Sequence, residues 1–260
     1  MNKSGTRFVQ VRGHRIEVQE VVPVQSVTHS TPIVMLHEGL GSVVMWRDFP
    51  QQVANATGSR VIVYSRYGYG QSSPITAPHG VRYMHDEALL ALPELLDQLG
   101  VQRPMLLGHS DGASIALIHA GGAQRALAGV VVMAPHIMVE DISVRSIAAA
   151  KAAYDTTDLR QRLARYHADV DSAFRGWNDI WLHPDFRAWN IEEYLPLIHC
   201  PLLAIQGEND EYGTMEQINR IGRLTPQSQL LKLPRCGHSP HKDQPEAVLA
   251  AVKQFAEALN

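Results

Sequence analysis

Cysteine is nearly absent from this chain. Cys200 and Cys236 are the two among 260 residues, too few for a disulfide framework and in keeping with a reducing compartment. Long apolar runs are missing as well. No stretch approaches the roughly 20 residues of a membrane-spanning helix, and Met1 to Phe8 lacks the apolar centre of a secretory leader. The cytoplasm is therefore the expected location, with no membrane partner. Charge of one sign is scarce too: a net charge of −3 offers no basic surface for nucleic acid. Neither repeats nor low-complexity linkers occur, which excludes a solenoid or a linker-joined array. What remains is an ordinary globular composition, 45% hydrophobic and 19% charged, at a length suited to one sizeable domain with an insertion.

Apolar residues fall in two kinds of run. Phe8–Val11 and Ile16–Val21 alternate apolar and polar around Arg12-Gly13-His14, the pattern of an antiparallel hairpin with one wet face. Ile33–Leu36, Val61–Tyr64, Met105–Leu107 and Val130–Met133 are short and continuous, as in strands covered on both faces, and Leu202–Ile205 and Leu230–Leu233 follow later. Helical spacing separates them, from about Ser42 through Thr57, over Asp86–Leu99, over Ala113–Ala120, and finally over Ala247–Leu259. Strand and helix in alternation predict an α/β fold built on a mostly parallel, eight-stranded sheet. One segment breaks the rhythm. Residues 135–199 hold no strand-like run, but show helical patterns at Val144–Tyr154, Asp158–His167 and Asp171–Leu182. We read it as an inserted helical lid on a core of residues 1–134 and 200–260. Three of the four tryptophans, Trp177, Trp181 and Trp189, lie in it, either fastening the lid to the body or facing a substrate. Trp177 and Trp181 are candidate substrate contacts.

Gly108-His109-Ser110-Asp111-Gly112 stands between a buried strand and an apolar helix and fits G-x-S-x-G. A serine on so sharp a strand-to-helix turn is strained and pushed outward, and residues without side chains let strand and helix close together behind it. The helix then aims its free N–H groups at charge forming on the serine's target. A hydroxyl is a weak nucleophile unless a base takes its proton and a third group orients that base. Of thirteen histidines, His238 follows the last strand, where ligands meet an open parallel sheet; His241 is its rival, nearer the final helix. The acid is expected after the preceding strand, where Glu208 and Asp210 both stand, and Asp210 is preferred because of the turn at Gly207.

The elbow, the Gly-x-x-Asp at 207–210, the Gly-His at 237–238 and the strand-to-loop passage His37–Ser42 together resemble the α/β-hydrolase superfamily over nearly the whole chain. The resemblance implies a triad of Ser110, Asp210 and His238 with no cofactor or metal. It also implies an oxyanion hole made by the backbone N–H groups of Gly39 and Asp111. Two departures stand out. Glu38 replaces the usual second glycine of the oxyanion loop, and Ser65 stands where the loop motif D-x-R-G-x-G-x-S expects its aspartate. Glu38 either pairs with a cation or sits at the pocket mouth, where it would touch substrate. His37 reads as a loop anchor. The Asp111 side chain either braces the helix start or, as in aminoacyl-ester hydrolases of the superfamily, meets an ammonium group.

Other motifs fail on context. His37-Glu38 lacks the second histidine of H-E-x-x-H, Gly39-Leu40-Gly41 lacks the third glycine of a dinucleotide fingerprint, and Cys236 has no elbow of its own. The expected chemistry is acyl transfer to water from a small-molecule ester, thioester or lactone. Carbon–carbon bond hydrolysis, a cofactor-free lyase or perhydrolase, and a ligand-binding module on the same scaffold remain open alternatives.

Overall fold

The computed structural model describes residues 5–25 and 31–259; four of the residues weighed for a leader therefore lie outside it. Eight strands form one sheet: β1 (Thr6–Val11), β2 (His14–Val21), β3 (Ile33–Leu36), β4 (Val61–Tyr64), β5 (Met105–His109), β6 (Gly129–Met133), β7 (Leu202–Gly207) and β8 (Gln229–Leu233). Their spatial order is β1-β2-β4-β3-β5-β6-β7-β8. The hairpin β1–β2 joins β4 antiparallel, and every other pairing is parallel. The order reverses between β3 and β5, so the crevice at their carboxyl ends is where this architecture places ligands. The loop of His37–Ser42 leaves β3 and Ser110 leaves β5 at that crevice.

The described residues form ten α-helices: α1 (Phe49–Thr57), α2 (Tyr83–Asp86), α3 (Leu92–Gln98), α4 (Asp111–Gly122), α5 (Asp141–Thr156), α6 (Leu159–Leu163), α7 (Val170–Trp181), α8 (Glu216–Leu224), α9 (Pro240–Asp243) and α10 (Pro245–Glu257). Because successive side chains of a strand point to opposite faces, each continuous apolar run feeds two cores at once. Val34, Leu36, Leu106, Val130 and Val132 pack with α3 and α4, whereas Ile33, Met35, Met105, Leu107, Val131 and Met133 pack with α1 and α10.

The helix expected over Asp86–Leu99 begins earlier, at Tyr83, and widens to a π turn over Glu87–Ala91 before α3. Pro93 explains the widening: it has no N–H for the carbonyl four residues back, and its ring would strike that carbonyl. The helix expected over Asp158–His167 stops at Leu163, because His167 is turned inward to bond the body of the protein. Helix α8 was not anticipated, although Ile218, Ile221 and Leu224 carry its spacing.

Between β6 and β7 the chain forms α5, α6 and α7 and two 3-10 turns, Pro184–Ala188 and Glu192–Leu197. A bridge between Met138 and Asn190 closes the neck of this insertion. The turn at Glu192–Leu197 packs on α4 and α8, in the body's own helical layer. Among the described residues no helix is long and apolar enough to cross a membrane.

Candidate active site

Ser110 sits between β5 and α4 at φ 53° and ψ −119°, a region that costs a residue with a side chain on the order of 1–3 kcal/mol. The surroundings impose it. The Ser110 N–H donates to Met133 O across the strand ends at 2.9 Å, and its carbonyl accepts from Ala113 and Ser114 of the new helix. The flanking glycines are required by space. A Cβ on Gly108 would lie 2.3 Å from Gly112 O, and one on Gly112 would lie 2.2 Å from Leu36 O. Strand β5, helix α4 and the end of β3 approach too closely for any side chain there.

Three side chains distant in sequence meet at this turn. His238 Nε2 lies 2.9 Å from Ser110 Oγ, and His238 Nδ1 lies 2.9 Å from both oxygens of Asp210. A carboxylate only accepts, so Nδ1 carries the proton and Nε2 is free to accept from the serine hydroxyl. Gln206 Nε2 and the N–H groups of Tyr212 and Gly213 also donate to Asp210. Burial pushes the Asp210 carboxyl up, but the hydrogen bond and charge of His238, with the Tyr212 N–H, outweigh it and hold it below its usual value.

The rivals fall elsewhere. Glu208 is exposed. His241 is buried between the rings of Trp46 and Phe49, at 5.0 and 5.2 Å, and burial pushes it down to about 2. Cys236 is buried, with its thiol pushed up to about 11 by burial and then by Asp243, the reverse of an activated nucleophile.

No acceptor in the protein takes the N–H of Gly39 or of Asp111 among the described hydrogen bonds. Both residues line the same cavity as Ser110. The oxyanion loop behind Gly39 is held by His37, which is wholly buried. The Arg66 N–H donates to His37 Nε2 at 3.0 Å, so the ring's other nitrogen is the donor, to Glu38 O at 2.6 Å. Burial holds this imidazole well below its ordinary value, hence neutral. The expected loop anchor is thus present.

Glu38 both pairs and lines. Its Oε2 lies 3.6 Å from His109 Nδ1, and its side chain faces the cavity of Ser110. His109 Nε2 donates to His238 O at 2.7 Å, so the residue before Ser110 fixes the backbone of His238. Burial raises the Glu38 carboxyl, but His109, with Lys242 and His37 further off, holds it well below the usual range. Glu211, which the sequence did not single out, accepts the His238 N–H.

The second departure is repaired from a neighbouring strand. Ser65 donates to Glu17 Oε2 at 2.7 Å, and the same oxygen accepts the Gln71 N–H at 2.9 Å. Ser65 Oγ in turn accepts from Val43 N–H. Glu17, on β2, therefore supplies the carboxylate that residue 65 lacks, through a pairing no linear motif reveals.

The Asp111 carboxylate is fully buried. It accepts from Tyr83 Oη at 2.7 Å and Trp181 Nε1 at 3.3 Å, and lies 3.8 Å from Arg66 Nη2. It makes no capping bond within α4. Its side chain joins the elbow to α2 and α7, and burial raises its carboxyl against the pull of Arg66. Trp181 lines the cavity and makes this bond; Trp177 packs against Gly39, where an added Cβ would meet its ring at 2.2 Å. Trp189 instead stacks on Phe186, away from the cavity. His136 was missed: it follows β6, lines the cavity, and is pushed down to about 3 by burial beside His238. The rule that pointed to His238, a histidine after a strand's carboxyl end, applies equally to it.

A strained serine at the switch point of a mostly parallel sheet, with a base and an acid in line, defines the hydrolase class of α/β enzymes. The chain belongs to the alpha/beta hydrolase family, whose model matches residues 33–251. It is 28% identical to the putative carbamate hydrolase RutD of Caulobacter sp. (strain K31), over 85% of this chain and 89% of that protein. It is 24% identical to the sn-1-specific diacylglycerol lipase ABHD11 of Mus musculus, over 86% and 80% of the two chains. In fold it matches the proline iminopeptidase of Mycobacterium smegmatis with a TM-score of 0.78, at 21% identity and 98% coverage of both chains. The carboxylesterase CesB of Bacillus subtilis matches with a TM-score of 0.75 at 22% identity, over 98% of this chain and 92% of that one.

Proposed function

We propose that the protein is a serine hydrolase that cleaves a small, uncharged or cationic acyl substrate through an acyl-enzyme. The observation that carries the reading is the unbroken line Ser110 Oγ, His238 Nε2, His238 Nδ1, Asp210, with 2.9 Å at each gap. His238 takes the hydroxyl proton as Ser110 Oγ attacks the carbonyl carbon, and Asp210 stabilises the imidazolium. The N–H groups of Gly39 and Asp111 receive the oxyanion, each donor worth about 3 kcal/mol of barrier. His238 returns the proton to the leaving group, then activates water to release the acid.

Size and charge narrow the substrate. The cavity at Ser110 holds about 200 Å³, below the roughly 300–1,000 Å³ of sites for drug-sized ligands. Its lining includes Glu38, Asp111 and Glu211 and neither lysine nor arginine, so anionic groups on a substrate meet repulsion. A relative of 23% identity over 98% of this chain is a 2-hydroxy-6-oxononadienedioate/2-hydroxy-6-oxononatrienedioate hydrolase of Pseudomonas putida, and its dicarboxylate substrates suit such a lining poorly. The insertion acts as the lid, through Trp177 and Trp181. Ser110→Ala is expected to lower turnover of a small activated ester by about 10⁴-fold or more while the protein stays folded. A fluorophosphonate probe should label Ser110 in the unmodified chain. Near wild-type turnover by Ser110→Ala, or no labelling, refutes the reading.

A further inference from the structure

Among the described residues, Arg66 is the sole lysine or arginine that is buried, at 2% exposure. A guanidinium cannot shed its proton in a protein, so this charge is permanent, and a buried charge is costly unless paired and fully hydrogen-bonded. Arg66 is neither. Nη2 donates to Glu38 O at 2.9 Å, while Nε has no partner at all. Its one ion-pair partner, Asp111, is 3.8 Å away and already accepts from Tyr83 and Trp181.

Arg66 lines a second cavity, of about 390 Å³, which shares no lining residue with the cavity of Ser110. Tyr83 lines the second cavity and bonds Asp111 of the first, so the two spaces lie on opposite sides of that contact. The volume falls within the range of small-molecule sites, and the lining has their usual form of a mostly apolar wall with a few convergent polar groups. Two stacked ring pairs furnish flat walls: His14 on Tyr67 at 3.8 Å, and His79 on Tyr83 at 4.8 Å. Two further buried polar atoms of the lining residues, Tyr69 Oη and His79 Nε2, also lack partners. Two carboxyls stand in this wall: Asp86 is exposed, and Glu87 accepts from Tyr64 Oη at 2.9 Å. Burial raises Glu87 against the pull of Arg66; of the two cations in the lining, Arg12 is exposed and Arg66 is buried.

We propose that this cavity is a second small-molecule site, for an organic carboxylic acid with a flat apolar body, whose carboxylate pairs with the Arg66 guanidinium while its body lies between the two stacked ring pairs. A planar fork of donors matches a carboxylate, and the pair is strengthened where water is excluded. The site is separate from the chemistry proposed for Ser110, and its test does not need turnover.

The experiment titrates three compounds of one body, 3-phenylpropanoate, 3-phenylpropanamide and 3-phenylpropylammonium, into the full chain. The Arg66 Nε–H resonance reports this cavity, and the Trp177 Nε1–H resonance reports the cavity of Ser110. The carboxylate should shift Arg66 saturably without shifting Trp177, and should bind about tenfold more tightly than the amide, the scale of one charge-assisted pair. Ala91→Phe, which narrows the cavity, should weaken it about tenfold. The proposal is overturned if the amide or the ammonium binds as tightly as the carboxylate, if Trp177 responds instead of Arg66, or if no saturable shift appears by millimolar ligand. Should Ala91→Phe fail to fold, the ligand series and the two resonances decide the matter in the unmodified chain.

Discussion

The elbow and the insertion reach the same serine by opposite means. Around Ser110 the backbone does the positioning: β5, α4 and the end of β3 are in contact without side chains between them, at Gly108 and Gly112. The insertion is held by buried apolar side chains such as Phe174, Trp181 and Phe186, by the Ala168 N–H bond to Gly70 O, and by polar side chains. His167 accepts the Gly70 N–H at Nδ1 and so donates from Nε2 to Leu40 O, both at 3.0 Å, and Trp181 donates to Asp111. Backbone packed against backbone leaves no room to adjust, whereas contacts made by side chains can rearrange. The difference predicts which mutations break the protein and which loosen only its upper layer.

The largest effect belongs to the elbow. Gly112→Ala should cost roughly 3 kcal/mol, at the upper end for overpacking, because its Cβ would be driven against backbone that cannot give. Chemical denaturation measures it, and a loss under 1 kcal/mol would show the elbow to be looser than described. Next comes the oxyanion loop. Gly39→Ala forces a Cβ into the Trp177 ring and should lower kcat/KM by about tenfold or more. Trp177→Ala in the same chain should restore part of the loss, since the obstacle is a side chain and can be removed. Failure of the second change to rescue the first would place the damage in the loop itself. Trp181→Phe puts a smaller ring in place of the buried indole and deletes one donor to Asp111, so about 2 kcal/mol of stability should be lost, with hydrogen exchange rising in α7 before it rises in the sheet.

The smallest effect per group is titration. Seven histidines, at 37, 79, 85, 119, 136, 167 and 241, all lie below their ordinary value, each chiefly through burial. A histidine depressed in the folded state stays neutral there while the unfolded chain takes up protons below about pH 6.5. Stability is therefore full above that pH and falls as the solution is acidified toward the folded values, among them about 4 for His79 and about 3 for His136. The melting temperature should be flat from pH 8 to 7 and drop steadily below about 6.5. His167 sharpens the comparison, because its Nδ1 must stay unprotonated to hold Gly70: hydrogen exchange on acidification should open α6 and α7 before β5. Simultaneous opening would mean the insertion is no more weakly held than the elbow.

Much of this protein was legible in its sequence because the relevant physics is local. Continuous runs such as Val130–Met133 could only be strands covered on both faces, and Gly108 and Gly112 around Ser110 marked a turn that admits no side chains. His238 and Asp210 were found by where they follow strands, although the same strand-end rule passed over His136. Tertiary structure decided what local pattern does not encode. It chose Asp210 over Glu208 and His238 over His241 by direction and burial, and it drew Glu17 from another strand to stand in for the missing aspartate at Ser65. It also set one buried arginine in the wall of a second cavity. Spacing along a chain fixes which face a residue takes, but which charges meet across the fold depends on strand order and packing, and these are set by the whole molecule at once.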